Sequence, residues 1–302
     1  MSSPTGVIHD IGYRRYDGPR LGWGYRVRSL YAQGVRSAYG LGRGVLSKVA
    51  AWAIFGLISV IATIMAAVRS MTGETVTTYW GFPGGFVNVL AVLFCALVAP
   101  ELVSKDLRSG VLALYFSRPI DRFAYPLAKW LATVTAAFLL LLAPQLVLFL
   151  GGAFGTTDAG AVWDEVTELS KGIVVTAIVA LIFGSIALFI SSLSSRRFVA
   201  AVVVVAVFLF TGPVVVVLQA IGWEQHWSSG AQTDMPTGSA LEIIQLSYLA
   251  SPLTIPEGVA AWLFDGTGNK VGDFGPISGA VAFGLTVLCL LLTLLRYRKV
   301  AR

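Results

Sequence analysis

The chain has 302 residues, 56% of them hydrophobic and 13% charged, with a mean hydropathy of +0.77. Soluble domains carry about 25% charged residues, so this composition excludes an ordinary soluble enzyme or binding module. The formal net charge of +6 needs no nucleic-acid partner, because the positions of the basic residues account for it through membrane topology.

The first 48 residues form a polar, Gly-rich, basic arm with no visible signal peptide. His9 stands without a Cys, His or acid cluster around it, so a packed or exposed histidine is expected there rather than a metal ligand. From Trp23 onward the pattern is helical. Trp23, Val27, Leu30, Tyr31, Ala38 and Leu41 fall on one face, and Arg26, Gln33 and Arg36 on the other. A basic amphipathic helix just ahead of an apolar run is expected to lie in the membrane interface; the alternative is a solvated arm. "GLGRG" at 40–44 is too short and badly placed to cradle a phosphate, and is expected to be a hinge.

Six apolar runs follow, at about residues 49–68, 84–100, 130–150, 172–193, 198–221 and 276–295, and none contains Asp, Glu, Lys or Arg. A charge at the bilayer centre costs roughly 2.5–3.5 kcal/mol on insertion scales, and a bilayer core of ~30 Å takes about 20 helical residues to cross. An all-α integral membrane protein with six transmembrane helices is therefore expected. With residue 1 inside, 19 of the 22 Lys and Arg fall on the cytoplasmic side, leaving Arg69, Lys171 and Lys270 outside. Both termini are then cytoplasmic. Cys95 and Cys289 sit inside runs two and six, where apolar filling rather than a disulfide is expected.

Between runs two and three lies "PELVSKDLRSGVLALYFSRPIDRFAYPLAKW", with eight charged residues in a sparsely charged chain. The spacing predicts a short helix ended by Gly110 and a restart near Pro119, which suits a first-turn position. The other cytoplasmic loop, "SSLSSRRF", is minimal. Outside, residues 222–275 open with the polar, loop-like "WEQHWSSGAQTDMPTG". An apolar helical stretch follows, interrupted at Pro252 and Pro256. Two short helices re-entering the outer leaflet or packing on the bundle are expected, and without cysteines a separate external domain is disfavoured. The domain reading is thus an arm at 1–48 and one transmembrane unit at 49–302, with a patterned loop at 101–129.

No G-x-x-x-x-G-K-[ST], H-E-x-x-H or G-x-S-x-G motif occurs, nor a pair of carboxylates within the runs, so the chain is not expected to be an enzyme. Secondary transporters usually keep an ionisable group in the membrane. Among the polar side chains in the runs, the amides Gln145 and Gln219 are each suited to a helix contact or a pathway role. Pro144 and Pro213 are expected to kink runs three and five.

The order from Glu101 through Asp106, "SGVLALYFSRPIDR", and Lys129 resembles the loop after the second span of ABC-2 type permeases of ATP-binding cassette transporters. "IHDIGYRRYDGPRLG" also looks like the opening of many bacterial permeases of that group, and the likeness covers the whole six-span layout. The resemblance implies an N-terminal elbow helix, a cytoplasmic coupling helix between spans two and three, and re-entrant external helices before span six. It places Glu101, Lys105, Asp106, Arg108, Gly110, Ser117, Arg118, Pro119 and Arg122 in the ATPase-coupling region. It further implies ATP and Mg on a separate ATPase, two ATPases with two permeases (identical or related), and a bacterial cytoplasmic membrane. Export or flipping of an amphipathic or lipid-like compound is the expected activity. A secondary transporter and a membrane scaffold that recruits a cytoplasmic partner are the alternatives.

Overall fold

The computed structural model describes residues 22–42, 45–73, 75–112, 123–155, 159–228, 238–265 and 271–300, with Gly18 and Pro236. Expectations on His9, Lys270, Ser117, Arg118, Pro119 and Arg122 lie outside the described residues. The described elements are helical: α1 (Trp23–Ala38), α2 (Val45–Thr72), α3 (Gly85–Leu102), α4 (Ser104–Arg108) and α5 (Ala124–Phe154). They continue with α6 (Ala159–Leu193), α7 (Arg197–Ser228), α8 (Gly238–Ser247), α9 (Ile255–Phe264) and, after a short 3-10 turn at Gly272–Phe274, α10 (Gly275–Val300). Among them α2, α3 with the adjoining α4, α5, α6, α7 and α10 are long and apolar enough to cross a membrane. This is the architecture of a multi-pass membrane protein.

The long helices outrun the apolar stretches. α5 begins at Ala124 and α6 at Ala159, because Asp, Glu and Lys stop a hydropathy run without stopping a helix. The same effect corrects one expectation: Trp223–Ser228 is not loop but the last part of α7. Aromatic side chains pack along it. The Trp223 and Trp227 rings stack with centroids 6.2 Å apart, and buried His226 meets both edge-on at 5.9 and 5.1 Å. Pro100, Pro144 and Pro213 all lie inside helices that continue past them.

α3 and α6 form the centre. Buried residues make up 72% of the apolar window of α3 and 61% of that of α6, against 17% for α2 and for α7. The outer helices present large apolar side chains such as Phe210 and Phe283 to their surroundings, as a lipid-facing surface requires. Cys95 and Cys289 are buried and free. α9 follows the Pro252 turn, begins with Pro256 in its first turn, and packs its Val259–Ala260 side against α10 and α6.

α1 does not float free. It lies across α5 and α3 and buries Leu30, Gly34 and Ala38. The Tyr31 hydroxyl donates to Thr135 Oγ1 at 3.1 Å, and the Tyr39 hydroxyl donates to the Ala136 carbonyl at 2.8 Å. On the face shared by the aromatic and aliphatic residues, Leu30 and Ala38 are buried while Trp23 and Leu41 are exposed; Arg26, expected on the polar face, is half-buried. The close approach rests on an alanine row in α5, Ala128, Ala132 and Ala136, one turn apart and fully buried. A Cβ on Gly34 would stand 2.6 Å from the Ala132 methyl. Gly34→Val is therefore expected to cost about 1–3 kcal/mol by overpacking. Thermal unfolding in detergent checks this, with Gly24→Val, which meets nothing within 4 Å, as the silent control.

Candidate functional site

The patterned loop opens where α3 stops. Val103 breaks the helix at φ −122°, ψ −52°, and α4 runs for five residues before Gly110 turns the chain in the left-handed region at φ +68°. Gly110 thus ends the short helix as its position in the sequence implies. α4 is pressed against α3, α6 and α7. Ser104 is fully buried and donates from Oγ to the Ser191 carbonyl near the end of α6 at 2.9 Å.

Asp106 turns inward, not outward. Its Oδ2 pairs with Lys129 Nζ at 2.9 Å and accepts the Tyr125 hydroxyl at 2.7 Å, both from the first turns of α5. Lys129 also stands over the Tyr125 ring at 5.4 Å, and that ring packs against Tyr297 of α10, centroids 5.3 Å apart. Tyr125 and Tyr297 are essentially inaccessible. One carboxylate thereby ties α4 to α5, and through two phenol rings to α10. With the Ser104 bond to α6, a five-residue helix is fastened to three long helices.

The outward face is basic. Glu101 holds Arg197 in an ion pair and lies 3.7 Å from Lys105. Arg108, Arg196 and Arg197 surround a depression of about 770 Å³ floored by Ala96, Leu97, Pro100 and Phe198. Of the residues singled out in the sequence, Lys105, Arg108 and Gly110 are exposed here, Glu101 is half-buried, and Asp106 belongs to the interior tie. Arg196 and Arg197 join this face, although in the sequence they bear only on topology. Their signal was two adjacent arginines in a minimal loop, and the α6–α7 turn, braced by the Arg196 N–H on Ser194 Oγ at 3.2 Å, brings them beside α4.

The opposite end of the bundle is locked differently. Arg69 of α2 pairs with Glu165 of α6, and the Tyr79 hydroxyl donates to the same carboxylate. Burial and Glu165 together hold the Tyr79 phenol above its ordinary range. Gln145, fully buried in α5, donates from Nε2 to the Tyr79 carbonyl at 3.1 Å. Its contact is thus with the 75–84 loop, not with a neighbouring helix. Gln219 is half-buried on α7.

Beside this loop is a cavity of about 640 Å³ lined by α2, α3, α6, α9 and the 75–84 loop. Glu257 reaches it from the first turn of α9, accepting Asn88 Nδ2 at 3.1 Å and the Gly85 N–H at 3.4 Å. Burial pushes the Glu257 carboxyl above the usual carboxylate range, against the pull of those two donors. Among the described residues, no group of three or more His, Cys, Asp or Glu is placed to hold a metal ion. No family model matches the chain, and no curated protein matches it.

Proposed function

We propose that the chain is the transmembrane permease subunit of an ATP-binding cassette transporter, exporting or flipping an amphipathic compound with ATP hydrolysed on a separate subunit. The observation that carries the proposal is the fastening of α4 to α5, α6 and α10 through Asp106, Lys129, Tyr125, Tyr297 and Ser104. A force applied to the basic face of α4 reaches three long helices at once. The exposed Lys105, Arg108 and Arg196 offer an acidic groove on a partner its electrostatic match. In this reading α4 is the coupling helix, α1 the elbow helix, and α8 and α9 the re-entrant pair. The α4 end and both termini face the cytoplasm of a bacterium, two ATPases bind ATP and Mg, and a second permease completes the path.

Glu257 favours a second reading, because a half-buried carboxyl with a raised pKa is what a proton-coupled secondary transporter uses. The two readings part on the energy source. A permease of the first kind leaves its native membrane with an ATP-hydrolysing partner; the second kind works without one and stops when the proton gradient is collapsed.

A further inference from the structure

The cavity beside α9 has an unusual polar arrangement. Asn88 is 3% exposed, and its Nδ2 donates both to the Leu253 carbonyl at 3.3 Å and to Glu257 Oε1. With both hydrogens committed, Asn88 Oδ1 is left buried with no hydrogen-bond donor. A buried acceptor without a donor costs free energy and is uncommon in folded proteins. Glu257 is the single charged residue among the described residues lining the cavity, and no Lys, Arg or His among them faces it. Aromatic side chains, Trp80, Phe82, Phe86 and Tyr248, make up much of the remaining wall.

Tying α9 to the start of α3 explains the Glu257 hydrogen bonds. It leaves the donor-less Asn88 oxygen, the uncompensated charge and the 640 Å³ of space without a role. A ligand that satisfies all three has a cationic N–H donor for Glu257 and Asn88 Oδ1, and an apolar body for the aromatic wall. We infer that this cavity binds an organic ammonium carried on an apolar chain, with Glu257 as counter-ion and Asn88 Oδ1 as acceptor. That such a compound is the transported cargo rests on the permease reading above. The ammonium could come from a soluble amphipathic amine or from an amino-lipid headgroup.

The test is binding of tritiated dodecylammonium to the full chain in phosphatidylglycerol nanodiscs, read by scintillation proximity with empty nanodiscs as the blank. Saturable binding is expected, with dodecanol competing about tenfold or more weakly. Glu257→Gln keeps the side chain's shape and an acceptor for Asn88 and Gly85, and is expected to weaken dodecylammonium about tenfold or more with an unchanged melting temperature. Asn88→Ala should weaken it less. Adding phosphatidylethanolamine to the discs separates the two sources: displacement of the probe assigns the site to a headgroup, and no displacement assigns it to a soluble amine. Equal competition by dodecanol, or undiminished binding to folded Glu257→Gln, overturns the inference. The dodecanol comparison needs no variant, so it stands even if Glu257→Gln fails to fold. Because the binding is read on the chain alone, its failure is distinct from failure to find an ATPase partner.

Discussion

Replacing Lys129 with methionine is expected to destabilise the chain by about 3 kcal/mol, seen as a clear fall in melting temperature in detergent. Lys129 is buried, and its ammonium sits 2.9 Å from an Asp106 carboxylate whose side chain is 19% exposed. Both partners are well below one third exposed, so solvent screens the pair only modestly. Methionine fills the volume of the lysine stem but leaves the carboxylate with one neutral donor, the Tyr125 hydroxyl. The cost is that of an uncompensated charge, more than the net worth of the pair. The double change Asp106→Leu with Lys129→Met removes both charges and is expected to recover most of the loss. A double variant no more stable than the single one would mean the ion pair is not what holds α4 down. In the permease reading the double variant is also expected to be mechanically loose: a bound ATPase would still hydrolyse ATP while transport falls.

In the permease reading, reversing charge on the outward face should do the opposite, sparing stability and removing the proposed ATPase partner. Arg108→Glu with Arg196→Glu changes two exposed side chains and is expected to move stability by no more than about 0.5 kcal/mol each. Capture of ATPase activity with the chain should drop about tenfold or more, since like charges facing an acidic groove suppress docking. Arg197 is left in place because it is engaged with Glu101, and a carboxylate there would place two acids together and confuse a folding defect with a docking defect. Neutral Arg108→Gln with Arg196→Gln should give an intermediate loss. Unchanged capture in the reversed variant would remove this face from the interface.

The spans were readable because the physics behind them is local. A charge in the bilayer is costly wherever the rest of the chain lies, so six uncharged runs coincide with six long helices. Gly110 was readable for a similar reason, since a left-handed turn that ends a helix favours glycine; Pro256, legible only as an interruption, in fact sits in the first turn of α9. What the sequence hid is pairing over distance. Arg69 and Glu165 are 96 positions apart, and Ser104 and Ser191 are 87 apart, and no periodicity connects them. Asp106 shows how this misleads: its neighbours Lys105 and Arg108 are exposed, so a charged run reads as one solvated face. One helical turn nonetheless aims the carboxylate at Lys129. Glu257 escaped for the complementary reason. It lies outside the six long apolar runs, in a short helix expected only to re-enter the leaflet or pack on the bundle, and its surroundings exist only once α9 folds against α3 and the 75–84 loop.

The most direct measurement of the central claim is affinity capture of the tagged chain from its native membranes in mild detergent, with partner identification and an ATP-hydrolysis assay on the captured material. A co-purifying subunit with a nucleotide-binding sequence is expected, with hydrolysis that disappears when Arg108 and Arg196 are reversed. Well-folded chain recovered without an ATPase partner, and without hydrolysis, would contradict it.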